Sequence, residues 1–288
     1  MYAGRMILRA LLATFALTCG LFAQNPDWTT NRAPFHVVDN VYYVGSKDLA
    51  SYLIVTPQGD ILINSNLASS VPQIRKNIET LGFKFSDVKI LLISHAHFDH
   101  AAGSALLKRL TGAKYEVMDA DVPVVESGGR NDFQYGNSKG SLYEATKVDR
   151  VLHDGDEVRL GGTVLVAHLT PGHTKGCTTW TMRVKDGAKS YDVVIIGSPN
   201  VNTGYKLVGN PKYQQMAADF ASTFRTLKSL PCDIFLGAHG VYFDLNAKLA
   251  LPKSATNPFL DPDGYKRYVA ERQQTFEAEL AKQTAKRR

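Results

Sequence analysis

Cysteine is scarce in this chain: Cys19, Cys177 and Cys232 are the three among 288 residues. Cys19 lies in a candidate leader, and the other two stand in separate segments. A bridge between Cys177 and Cys232 is allowed in an oxidising compartment, but nothing implies one. The expectation is two buried free thiols. Long apolar runs are equally scarce. The first occurs in "MYAGRMILRALLATFALTCGLFAQ", and it is shorter than the roughly 20 residues a membrane span needs. No other stretch is apolar enough to span, which argues against a membrane anchor in the mature chain. There is no basic stripe interleaved with aromatics, so the formal net charge of +6 reads as a solvated surface and not as a nucleic-acid site. Low-complexity tracts, long linkers and short-period repeats are all missing, so nothing splits the chain into domains.

What is present begins with that first segment. Arg5 and Arg9 precede the apolar run, and the small residue Ala23 precedes polar "QNPDW". This is the pattern of a secretory signal peptide over 1–23, cleaved after about residue 23, with a single domain over 24–288. Leu17-Thr18 before Cys19 makes a poor lipid-attachment signal. Composition, 44% hydrophobic and 21% charged, is ordinary for a globular protein with a large core.

The pattern along the chain comes in two halves of similar grammar. "VYYVG", "SYLIVT" and "DILIN" read as a meander of short strands. The spacing of Val71, Ile74, Ile78 and Leu81 predicts a helix ending at Gly82. "VKILLIS" is continuously apolar, as a strand buried on both faces should be. "HAAGSALLKRL" reads as a helix ending near Gly112. In the second half, "RVLHDGDEVRLGGTVLVAHLT", "CTTWTMRV", "SYDVVIIG" and "CDIFLG" supply strands. "YQQMAADFASTFRTLKSL" and "GYKRYVAERQQTFEAEL" supply helices. Grouped strands with helices between them predict a layered α/β sandwich with the sheets inside.

The unusual feature is "SHAHFDH". His95, His97, Asp99 and His100 fall within six residues, where a buried strand gives way to a helix. Strand ends facing loops are where α/β sheets place chemistry. Buried imidazole is costly without partners, and imidazole with carboxylate suits zinc. One zinc takes about three protein ligands plus water, so four candidates in one loop point to two metals. His173 in "TPGHTKGC" and His239 in "GAHG" are placed alike: strand, glycine-containing turn, histidine. His36, His153 and His168 lack that placement and read as surface or hydrogen-bonded histidines.

These residues carry a resemblance. HAHFDH resembles the HxHxDH signature of the metallo-β-lactamase superfamily, "TPGHTKGC" its Pro-Gly-His turn, and "GAHG" its last histidine. The likeness runs over nearly all of the mature chain. It implies a four-layer αβ/βα sandwich with a zinc cleft along one edge of the sheets. Many members place a metal-bridging aspartate after the glycine that ends a later strand, and one lactamase subclass places cysteine there. This chain has Ser198, which is similar to class B, subclass 3 β-lactamases. That resemblance implies His95, His97 and His173 for a first zinc, and Asp99, His100 and His239 for a second. It implies Ser198 and Asn200 on the side of the substrate carboxylate. There are departures: Asn64 where aspartate is usual, Asn200 where some members have serine, and no cysteine after Cys232 to complete a bridge.

The expected activity is hydrolysis of the β-lactam amide by water that zinc makes acidic, with a pKa near about 7. The zinc held by His95, His97 and His173 would polarise the carbonyl, and Asp99 would ligate the other and orient the water. The implied partner is a small-molecule β-lactam substrate, and the expected form is a monomer in the periplasm. The alternatives are another hydrolase of the fold, such as a lactonase or thioesterase, or a zinc-binding protein without catalysis. A serine-nucleophile lactamase is set aside, because S-x-x-K with S-D-N and K-T-G partners is missing. The polar, glycine-rich "SGGRNDFQYGNS" is expected as a loop over or beside the cleft, or as plain surface.

Overall fold

The computed structural model describes residues 25–252 and 256–286. The expected signal peptide and its cleavage point lie outside the described residues. Seven strands form one sheet in sequential order: β1 (Phe35–Val38), β2 (Val41–Tyr43), β3 (Tyr52–Thr56), β4 (Gly59–Ile63), β5 (Val88–Leu92), β6 (Lys114–Met118) and β7 (Arg150–Leu152). β8 (Glu157–Leu160), β9 (Thr163–Leu169), β10 (Thr178–Asp186), β11 (Lys189–Ile196) and β12 (Ile234–Gly237) form the second, in the order β12-β11-β10-β9-β8. Hairpins make the antiparallel pairs. Crossovers make β4–β5, β5–β6, β6–β7 and β11–β12 parallel.

The strand pattern explains the layering. Side chains alternate across a strand with period two. Ile61, Ile63, Ile90 and Leu92 join Leu165, Trp180 and Met182 between the two sheets. Leu62 and Leu91 point the other way, against Val71, Ile74 and Ile78 of α1 (Val71–Thr80). Both faces of β4 and β5 are therefore buried, as a continuously apolar run requires. α2 (Phe98–Ala101), α3 (Ser104–Thr111) and α4 (Val122–Glu126) follow β5 and β6, and Leu107 and Val125 join the same outer core. On the far side, Phe220 and Phe224 of α5 (Met216–Ser229) pack with Phe276 of α7 (Pro262–Ala285), and α6 (Leu245–Ala250) lies between β12 and α7 in the chain. Helix, sheet, sheet, helix is the expected four-layer sandwich. No helix among the described residues is long and apolar enough to cross a membrane.

Three expectations need adjustment. The helix read from "HAAGSALLKRL" is two, broken at Gly103. There the chain presses on the Ser65–Leu67 loop, and a Cβ would stand 2.5 Å from the Ser65 carbonyl oxygen. β1 and β6 were not read from the sequence. Cys177 is buried but Cys232 only half-buried, and both are free thiols.

Candidate metal centre and cleft

The site residues come from loops that leave parallel or inner strands at one edge of the sandwich. His95–His100 follow β5 and enter α2, His173 follows β9, and His239 follows β12. The fold brings all six expected ligands together and buries five to at least nine-tenths, His95 at 1% and His100 at 0% exposure among them. His95, His97 and His173 each offer a ligand atom within 4.8 Å of the others. The second trio is close-set. His100 Nε2 lies 3.1 Å from His239 Nε2, and Asp99 Oδ2 lies 3.5 Å from each.

Those spacings test whether zinc fits. A tetrahedral zinc with bonds of about 2.0–2.1 Å separates its ligand atoms by about 3.3 Å. The second trio already has that separation. Two buried ring nitrogens of the cluster, His97 Nε2 and His100 Nδ1, have no hydrogen-bond partner. The histidine tautomers agree as well. His173 Nδ1 lies 2.8 Å from the Asn200 carbonyl oxygen, and His239 Nδ1 lies 3.0 Å from Asp48 Oδ2. Both oxygens can only accept, so each Nδ1 donates and each Nε2 keeps its lone pair for a metal. His95, His97, His173, Asp99, His100 and His239 thus form a donor set of the right chemistry.

Electrostatics suit a metal at four of the six groups, while at His97 and His239 burial is outweighed by nearby carboxylates that raise them. Burial, reinforced by neighbouring imidazoles, holds His95 well below its ordinary pKa. Burial takes His100 to about 3 and His173 to about 3, the neutral state a metal requires. For Asp99, burial works upward but His100 and His239 outweigh it, and the carboxyl stays far below its usual range. For His239, burial works downward, but the Asp48 and Asp99 carboxylates prevail and raise it to about 9. Asp132 Oδ2 stands 3.6 Å from His97 Nε2, an ion-pair distance rather than a hydrogen bond.

One supporting group, Asp121, was not legible in the sequence. Asp121, buried, ties the ligand loops together. It accepts from Ala96 N, Gly176 N and Thr174 Oγ1, each at 2.8 Å. Gly176 permits that approach, since a Cβ there would stand 2.5 Å from Asp121 N. Asn64, the departure from the superfamily's aspartate, uses both ends of its amide. Oδ1 accepts from Ser94 N at 2.8 Å and Nδ2 donates to the Ala50 carbonyl at 3.2 Å. Its φ of +68° suits asparagine.

The metal residues open into a cleft of about 430 Å³ walled by Trp28, Phe98, Tyr135, Asn202, Val241 and Tyr242. Tyr135 brings the "SGGRNDFQYGNS" loop to the cleft wall. Ser198 and Asn200 stand beside two tyrosines. Ser198 is 1% exposed and its Oγ lies 3.2 Å from Tyr242 Oη. Asn200 Nδ2 donates to Tyr268 Oη at 3.4 Å. Of these partners it is Tyr242 that lines the cleft. His36, His153 and His168 lie elsewhere, against the Asp39 carbonyl, Asp119 and Thr181 respectively.

Comparison with known proteins agrees with this geometry. The family profile described as metallo-beta-lactamase superfamily matches residues 49–188. The structure is similar to native FEZ-1 metallo-beta-lactamase from Legionella gormanii, with 57% identity, 88% of this chain and 98% of that chain covered, and a TM-score of 0.87. It is similar to the class B3 di-zinc metallo-beta-lactamase LRA-12 from an Alaskan soil metagenome, with 39% identity, 88% and 96% coverage, and a TM-score of 0.83. A hydroxyacylglutathione hydrolase of Cereibacter sphaeroides is 27% identical over 59% of this chain, which spans about half (55%) of that relative. Sandwich, ligand loops and likeness over nearly the whole length of solved subclass B3 structures lead to one assignment: the chain belongs to the metallo-beta-lactamase superfamily, as a hydrolase similar to its B3 lactamases.

Proposed function

We propose that the protein is a dizinc β-lactamase, opening the β-lactam amide of penicillins, cephalosporins and carbapenems. The observation that carries this is the pair of ligand trios in one cleft: His95, His97 and His173 beside Asp99, His100 and His239. Two zinc ions there supply, when bound, an acidified water and Lewis acidity toward the amide carbonyl. The chain's own residues do the rest. The Asn200 carbonyl and Asp48 fix the lone pairs of His173 and His239. Asp99, held ionised, is an acceptor that can orient the attacking water. Trp28, Phe98 and Tyr135 give a ring-shaped substrate apolar walls, and Asn202 offers an amide donor. Ser198 backs Tyr242, and Asn200 backs Tyr268, on the side read as facing the substrate carboxylate. Residues 1–23 are read as an export signal that delivers a single-domain monomer to the periplasm.

The similarity to hydroxyacylglutathione hydrolase favours a second reading, a thioesterase of the same fold. A direct assay separates the two. The zinc-loaded protein should turn over a chromogenic cephalosporin and a carbapenem, and a chelator should abolish both. Hydrolysis of a hydroxyacyl-glutathione thioester with neither lactam touched would replace the first reading by the second.

A further inference from the structure

Asp48 backs the second ligand trio: of the candidate ligands its carboxylate hydrogen-bonds His239 alone. It is 3% exposed. Oδ2 accepts from His239 Nδ1 at 3.0 Å and from the indole Nε1 of Trp28 at 3.1 Å. Oδ1 accepts from Val241 N at 3.0 Å. One carboxylate thereby holds the imidazole and the backbone two residues on. Trp28 lies over the same imidazole, 5.8 Å from the His239 ring, and 6.1 Å from Phe98.

Trp28 is itself held by the segment that carries it. Asp48 N donates to the Asp27 carbonyl at 3.1 Å, Lys47 N to the Thr30 carbonyl at 2.9 Å, and Lys47 Nζ pairs with Asp27 at 3.0 Å. The 25–30 segment is thus docked on the β2–β3 loop, and Asp48 is the joint. The first trio has other supports, the Asn200 carbonyl behind His173 and Asp132 near His97. Without its Nδ1 acceptor, the imidazole of His239 would have two tautomers and a freer ring, and its Nε2 lone pair would no longer be aimed.

We propose that Asp48 and Trp28 are a positioning pair for the second metal alone: Asp48 fixes the tautomer and rotation of His239, and Trp28 fixes Asp48. The proposal rests on the reading of His239 as a zinc ligand. Through this pair the docked N-terminal segment sets the affinity of one of two neighbouring metal positions.

The test uses the folded protein, zinc as the probe and a competing chelator, with zinc per chain read by equilibrium dialysis. Asp48→Asn should weaken the second zinc by about 10–100-fold and leave the first unchanged. Trp28→Phe keeps the carboxylate and most of the ring, and should weaken the same zinc by about threefold, the worth of one hydrogen bond. With cobalt in place of zinc, the absorption of the second position should change in both variants and that of the first in neither. Equal loss at both positions, or an unchanged second affinity, would overturn the proposal. If Asp48→Asn does not fold, Trp28→Phe decides alone. A wild-type protein that binds fewer than two zincs would overturn the ligand assignment itself, a separate outcome visible before any variant is made.

Discussion

The Asp121 carboxylate accepts the Thr174 hydroxyl at 2.8 Å, and so joins two loops that come from different sheets. The same oxygen holds Ala96 N, between His95 and His97, and its partner oxygen holds Gly176 N, three residues past His173. The first ligand trio is thus framed by a buried group that touches none of the three imidazoles through a hydrogen bond.

Asp121→Ala should therefore be costly. It strands two buried backbone N–H groups and a buried hydroxyl, each worth about 1–3 kcal/mol when left unsatisfied. A loss of about 3–5 kcal/mol in urea unfolding of the metal-free protein is expected. A loss below about 1 kcal/mol would mean that the loops are held by something else.

His239→Ala should lower occupancy of the second metal more than the first, because its Nε2 sits with His100 and Asp99 at 3.1 and 3.5 Å. Metal analysis after dialysis checks this, and full stoichiometry at both positions would break the partition of ligands. His168→Ala is the control. That ring bonds Thr181 Oγ1 at 2.8 Å, and metal content should not change.

The metal-free protein should be most stable near pH 6.5, the ordinary histidine value. On the acid side, the buried His100 and His173 titrate near 3 in the folded state. Their unfolded forms take protons first, so stability falls as pH drops from about 6.5 toward 3. On the alkaline side, His239 is raised to about 9. Its contribution is present below about 6.5 and is lost as pH rises through about 9. Urea midpoints of chelator-treated protein from pH 5 to pH 9.5 should show both flanks. A midpoint that is flat between pH 6.5 and 9.5 would remove the role given to His239.

Asn64→Asp restores the residue usual in the superfamily, and here it should destabilise. The carboxylate could still accept from Ser94 N, but the donor to the Ala50 carbonyl would be gone and two acceptors would face each other in a site of 0% exposure. A loss of about 1–3 kcal/mol in denaturant unfolding is expected. A gain would show that the loop rearranges around the charge.

The candidate ligands were legible because imidazole and carboxylate crowded at a strand end have few other uses. HAHFDH could be read from six residues, and His173 and His239 from the glycine turns before them. The supporting groups could not. Asp48 stands 191 residues from His239 in the chain, and nothing in "VGSKDLAS" marks it as the acceptor behind an imidazole. Asp121 in "MDADV" looks like ordinary turn chemistry, and its three donors arrive from two other loops. β6 escaped for a different reason: "KYEVM" carries a buried glutamate, Glu116, whose ion pair with Arg150 of the neighbouring β7 makes the strand tolerable. Ser198 was read as carboxylate-side from its position, and its neighbour was not legible: Oγ meets Tyr242 Oη, a cleft-lining group.

Each ligand trio draws on both sheets: the loop after β5 supplies two members, and β9 or β12 supplies the third. In each trio the third residue lies more than seventy residues from the segment after β5, although His95, Asp99 and His100 also meet within that segment alone. The full trios close only after the sheets have docked, because long-range contacts of this kind form once the intervening chain is closed. The ions would act as a seal set on finished architecture, and their release would loosen the seam between the two sheets before it disturbed either sheet.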